Sequence, residues 1–108
     1  TGPEGCGHVG DFSEGLVWAS WRSWTSQGYL DRTGQWVIEP QFEMASDFHE
    51  GLGRIRIRGV YGYVDRTGAF QIEPRFESAE DFSGGLAGVN LNRRYVLIDA
   101  AGAVFWEE

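Results

Sequence analysis

Between Leu52 and Arg58 apolar and polar side chains alternate without a break, with Ile55 and Ile57 on one side and Arg54, Arg56 and Arg58 on the other. Alternation with a period of two marks a strand with one buried face. The same rule places Val89 and Leu91 inward and Asn90 and Asn92 outward further along the chain. A second strand is predicted over 60–65, after a tight turn at Arg58-Gly59, and a third over 69–73. In that third strand Phe70 and Ile72 point to one side, as Trp36 and Ile38 do before it and Val104 and Trp106 after it. Pro40 and Pro74 are predicted to stop it, because proline lacks the amide donor that a ladder needs. The connection that follows carries Phe42 and Phe48, or Phe76 and Phe82, expected as buried plugs between successive units. Ala45 and Ala79 fall where little space remains, and a short helical turn fits there.

These elements recur. Asp31, Asp65 and Asp99 are 34 residues apart, as are Gly34, Gly68 and Gly102. A fixed period in the range of 20 to 50 residues signals an array whose units bury apolar faces against one another. Asp-Arg-Thr-Gly at 31–34 and 65–68 predicts hairpin tips, with the carboxylate capping the turn and glycine supplying left-handed backbone. Asp99-Ala100-Ala101-Gly102 keeps only the two residues the backbone requires. Asp11-Phe12-Ser13-Glu14-Gly15-Leu16 matches 47–52 and 81–86, although Gly15 and Gly51 are 36 apart. The excess falls in the Trp-rich segment 18–24 and predicts a longer hairpin loop or a bulge. Residues 1–10, rich in glycine, read as a flexible lead-in. The fold expected is all-β: three repeats of about 34 residues (roughly 11–45, 46–79 and 80–108), each of about three antiparallel strands. Stacking would give a short solenoid or a partly closed barrel.

The string Tyr61-Gly62-Tyr63-Val64-Asp65-Arg66-Thr67-Gly68, followed by Ile72, Pro74, Phe76, Ala79, Phe82 and Gly85-Leu86, resembles the WG-containing repeat family over about residues 11–106. In that family a Trp-Gly pair opens the second strand. Here the pair is Gln27-Gly28, Tyr61-Gly62 and Tyr95-Val96, so the tryptophan is absent throughout and the glycine is replaced in the last copy. The resemblance implies a bacterial-type all-β module of a larger protein, with an interaction role, no general enzymatic activity and no catalytic residues to carry over. A start without Met, on the tail of a unit, fits a piece of a longer chain.

Composition narrows the partners. A net charge of −7 repels phosphate backbones and anionic headgroups, so neither nucleic acid nor a membrane surface is expected as partner. No apolar run approaches the roughly 18 residues of a spanning helix. One cysteine, Cys6, makes no internal disulfide, and with His8 it falls short of a metal-ligand set. No cofactor is expected.

All nine basic residues are arginine. Stacked units would align Trp18, Ser20 and Arg22 with Arg54, Arg56 and Arg58 and with Asn90 and Asn92 on one outward surface, suited to gripping carboxylates. Pairing of those arginines with neighbouring acids is the competing expectation. Trp21, Trp36 and Trp106 are predicted to be buried, whereas Trp18 and Trp24 are candidate stacking platforms. The acidic residues of the connections read as a solvated edge, because repeated carboxylates lack the asymmetry of an acid–base pair. The function expected is non-enzymatic binding of a protein or peptide with acidic groups; the alternative is an envelope glycan gripped by Trp18 and Trp24.

Overall fold

The structure, a computed structural model, describes residues 6–10, 12–21 and 23–107, with side chains left aside at 6–8 and 23–25. Among the described residues there are twelve strands and no helix, in three four-stranded antiparallel sheets. Sheet I is the meander β1 (Cys6–Val9), β2 (Val17–Trp21), β3 (Ser23–Leu30) and β4 (Trp36–Phe42). Sheet II is β5 (Met44–His49), β6 (Leu52–Ile57), β7 (Val60–Val64) and β8 (Phe70–Phe76). Sheet III is β9 (Ser78–Ala79), β10 (Leu86–Leu91), β11 (Arg94–Asp99) and β12 (Val104–Glu107). The sheets stay open and do not close into a barrel. They form a body of 45 × 25 × 19 Å.

Three expectations are corrected. Part of the lead-in is a strand, since Cys6 pairs with Trp21 and Val9 with Ala19. The connection at 44–49 is a strand as well, antiparallel to β6, so each sheet has four strands and not three. The prolines do not end β4 and β8. Both are edge strands that continue through Pro40 and Pro74 across a bulge: Tyr61 pairs with Phe76 while Tyr63 pairs with Ile72. Two residues on β7 thus oppose four on β8, and the extra backbone is thrown towards Gly62. A Cβ at Gly62 would lie 2.6 Å from Pro74 N and 2.7 Å from Ile72 O. Gly28 faces Ile38, Glu39 and Pro40 in the same way. Bulge and glycine are one device.

The Asp-to-Gly corners lie at hairpin tips. Asp65 Oδ1 accepts from Thr67 N (2.9 Å), Thr67 Oγ1 (2.6 Å) and Ala69 N (3.1 Å), and Gly68 takes φ +92. Asp31 repeats the arrangement with Thr33 and Gln35. The threonine hydroxyls, then backbone amides, hold both carboxyls below the usual aspartate range.

The core lies between sheets. Leu16, Tyr29, Ile38 and Phe42 of sheet I and its flank pack on Ala45, Phe48, Ile55 and Val64 of sheet II. Leu52, Tyr63, Ile72 and Phe76 of sheet II meet Phe82, Ala87, Val89, Val96 and Ile98 of sheet III and its flank. The plugs are buried as expected: Phe48 sets its ring edge-on to Tyr29 at 4.7 Å, and Phe82 to Tyr63 at 4.8 Å. Each tyrosine then reaches past its plug, Tyr29 Oη donating to Ser46 O and Tyr63 Oη to Glu80 O, both at 2.5 Å. Burial pushes both phenols well above their ordinary pKa, so they stay donors at neutral pH.

Candidate binding face

The three arginines of the 52–58 segment share one side of the backbone and have three different surroundings. Arg54 is committed inside the molecule. Its Nη1 donates to Ala79 O at 2.9 Å and lies 3.6 Å from Asp81 Oδ1, while Nη2 donates to Ser46 Oγ at 2.9 Å. It therefore straps sheet II to the start of sheet III, and Asp81 also lies 3.3 Å from His49 Nε2. Arg56 is half-committed, with Nε 3.6 Å from Glu43, Nη1 4.0 Å from Met44 Sδ and the guanidinium over the Tyr61 ring at 5.9 Å. Arg58 sits at the hairpin tip with φ +54 and is exposed; among the described residues its guanidinium has no ion-pair partner. The acid that could have taken it is engaged elsewhere, because Glu43 accepts from Arg58 N (2.9 Å) and Gly59 N (3.2 Å).

Beside Arg58 is an open hollow of about 360 Å³ lined by Ile57, Val60, Phe70, Glu73 and Pro74. Phe70 is 40% exposed, against the inward position predicted for it. The cause is a further register shift, in which Val64 pairs with Phe70 but Tyr63 with Ile72. One extra residue between Phe70 and Ile72 turns the ring off the core face.

The other predicted residues do not gather here. Asn92, also at a left-handed hairpin tip (φ +53), is exposed, and Asn90 Nδ2 donates to Ser78 Oγ at 2.5 Å. Trp18 is not the exposed platform expected. It is half-buried against the core between sheets I and II, its indole lying over Gly10 where any Cβ would collide with it. Arg22 and the Trp24 side chain lie outside the described residues. Trp21 and Trp36 are half-buried in an edge-to-face pair at 5.9 Å. Trp106, predicted buried, is 51% exposed.

The carboxylates are more than a solvated edge. Glu14 accepts from Gly51 N (2.8 Å), and Glu50 from Gly84 N (2.7 Å) and Gly85 N (2.8 Å), so each of these turns is clasped by the preceding one. Glu77 caps the turn at Arg93 as Glu43 caps that at Arg58. Buried Gln27 offers Oε1 to Ala45 N at 2.8 Å, tying sheet I to β5. Sequence reasoning missed these roles; the spacing of Glu43 and Glu77, and of Tyr29 and Tyr63, at 34 was the available signal. Among the described residues no group of three or more His, Cys, Asp or Glu converges as a metal site.

The geometry that decides kinship is the pair of glycines wedged against a proline bulge, 34 residues apart. The WG containing repeat matches at residues 28–61 and again at 61–95. The chain belongs to that family. Among curated proteins and among solved structures, nothing matches. In this WG repeat chain the pair's first position is held by Gln27, Tyr61 and Tyr95, while its glycine follows the bulge. Val96 opposes a strand without proline and is itself core, 4% exposed.

Proposed function

We propose that this chain is a non-enzymatic WG repeat module, three copies of one unit of about 34 residues, that binds a protein or peptide carrying acidic groups. The observation that carries the reading is Arg58, an exposed and unpaired guanidinium at the lip of an apolar hollow, on a protein of net charge −7. A peptide with a carboxylate one or two residues from an aromatic or branched side chain satisfies both features, the acid on Arg58 and the apolar group against Phe70, Val60 and Pro74. Arg54 and Arg56 contribute rigidity, since their pairing fixes the strand from which Arg58 projects. The glycan alternative rested on Trp18 and Trp24. With the Trp18 indole packed over Gly10, that alternative has no described platform left to carry it.

The test is an NMR titration with the peptide acetyl-Glu-Leu-Glu-Phe-Glu-amide and its lysine counterpart. Amide shifts are expected at 57–60 and around Phe70 with the acidic peptide alone, weakening as salt shortens the Debye length. Arg58→Glu is expected to lower the affinity about tenfold or more. The backbone tolerates that change, since Glu14 and Glu50 occupy the same left-handed position at φ +55. Equal binding of both peptides, or an Arg58→Glu variant that binds as tightly, contradicts the reading.

A further inference from the structure

The two outer faces of the stack carry the two halves of the joint that the protein uses twice internally. On the leading side of sheets II and III, Ala45 with Phe48 and Ala79 with Phe82 plug into the preceding sheet. The equivalent residues at sheet I are Val9 and Phe12, and they are 50% and 44% exposed. With Val17, Leu30 and the turn Asp31–Gly34 they line a hollow of about 270 Å³. In the internal joint the corresponding turn of sheet II lies on sheet I, a Cβ at Gly68 falling 3.2 Å from Ile38, and Arg66 Nη2 donating to Glu14 O at 2.5 Å. Arg32, the equivalent of Arg66, instead lies over the Phe12 ring at 4.9 Å. On the trailing side the receiving residues are Tyr29 and Ile38 on sheet I, and Tyr63 and Ile72 on sheet II. Their equivalents on sheet III are Leu97 and Trp106, the latter 51% exposed beside Phe105 at 67% and Val104 at 52%.

The sizes at the two faces also match. Tyr29 slides under Gly53, where a Cβ would lie 2.9 Å from its Oη, and Tyr63 packs in one cluster with Ala87, the residue equivalent to Gly53. Sheet I carries Val17 at this position, and sheet III offers Leu97 in place of tyrosine. A larger wall thus meets a smaller knob, which keeps the summed volume near that of the internal joints.

We propose that the outer face of sheet I in one copy docks on the outer face of sheet III in a second copy, head to tail, through a third instance of the internal joint. The contact is heterologous, so it leaves a free half at each end and extends into short filaments with rising concentration. It lacks the tyrosine hydroxyl bond of the internal joints. It also lacks the clasp of Glu14 and Glu50, whose place in the last turn is taken by Gly84. The contact is therefore weaker than the internal joints. Repulsion between copies of charge −7 makes it tighten with salt, opposite in sign to the peptide binding above.

Sedimentation velocity at moderate salt, from about 10 µM to about 1 mM, tests this with Phe12→Asp and Trp106→Asp. Both side chains are exposed, and unchanged circular dichroism verifies that each variant folds. The wild-type sedimentation coefficient is expected to climb with concentration, and each variant alone to stay monomeric. An equimolar mixture of the two restores association but stops at a dimer, because Phe12→Asp keeps the sheet III half and Trp106→Asp the sheet I half. A wild-type chain that stays monomeric throughout overturns the proposal. So does self-association of Phe12→Asp alone, which would point to β12 edges pairing about a two-fold axis, and so does a mixture that remains monomeric.

Discussion

Gly62→Ala is expected to destabilise the fold by at least about 3 kcal/mol, the upper end of the range for overpacking a filled site. The new methyl group has no flexible neighbour to displace, because the nearest atoms are the backbone of Ile72 and Pro74 at 2.6 to 2.7 Å. Either the bulge opens and β8 loses its pairing with β7, or the two strands separate and uncover Tyr63 and Phe76, both essentially fully buried. Urea denaturation monitored by tryptophan fluorescence reads the change, as does a fall in Tm of about 10 °C or more. The same position in sheet III supplies the control of opposite sign. Val96→Gly removes a side chain of the core between sheets II and III, and is expected to cost about 2 kcal/mol through lost burial and backbone freedom. If Gly62→Ala is neutral, the family's glycine is not held by the proline bulge.

Phe48→Ala is expected to cost about 4 kcal/mol. The ring is fully buried between two sheets and sits edge-on to Tyr29, so its removal leaves a cavity that open β-sheets cannot collapse around, along with the loss of the aromatic contact. Phe82→Ala repeats the loss at the next joint, where Tyr63 is the partner. Phe12→Ala, the same substitution at the equivalent position, is expected to cost about 1 kcal/mol or less in the monomer, because the ring is already 44% exposed and touches chiefly the Arg32 guanidinium. A series of three identical chemical changes at three matched positions thus separates burial from residue type. Equal losses at all three would mean that the joints between sheets contribute little to stability.

The contrast between what was and was not legible in the sequence follows the range of the interactions. The 34-residue period, the alternating strands and the Asp-to-Gly hairpin tips are set by neighbours along the chain, and all were readable. Strand β5 was not, because its register shifts between Ala45 and Phe48 and leaves buried positions three residues apart, which erases the period of two. Pro40 and Pro74 misled for a related reason, since a proline ends a central strand but is tolerated in a bulged edge strand. Phe70 followed the alternation on paper and left the core when one extra residue entered the ladder. For the site, Arg54, Arg56 and Arg58 were correctly placed on one side of a strand. What that side meets was invisible, since Arg54 is claimed by Ala79 and Asp81, some 25 residues further on, and only Arg58 remains open. Trp18 was likewise assigned to the outward side, and the chain at Gly10 folds across it. Outward along a strand means solvent only where no later segment returns to cover it.

The most direct test of the stacked-sheet architecture is a set of nuclear Overhauser contacts between aromatic rings in the free protein. Cross-peaks are predicted from the Phe48 ring to Tyr29 and from the Phe82 ring to Tyr63, with none of comparable strength from Phe12 to any tyrosine in dilute solution. Phe48 or Phe82 without a tyrosine contact, or either plug in contact with the other's tyrosine, would contradict the proposition that three open sheets are joined by plugs at two matched seams.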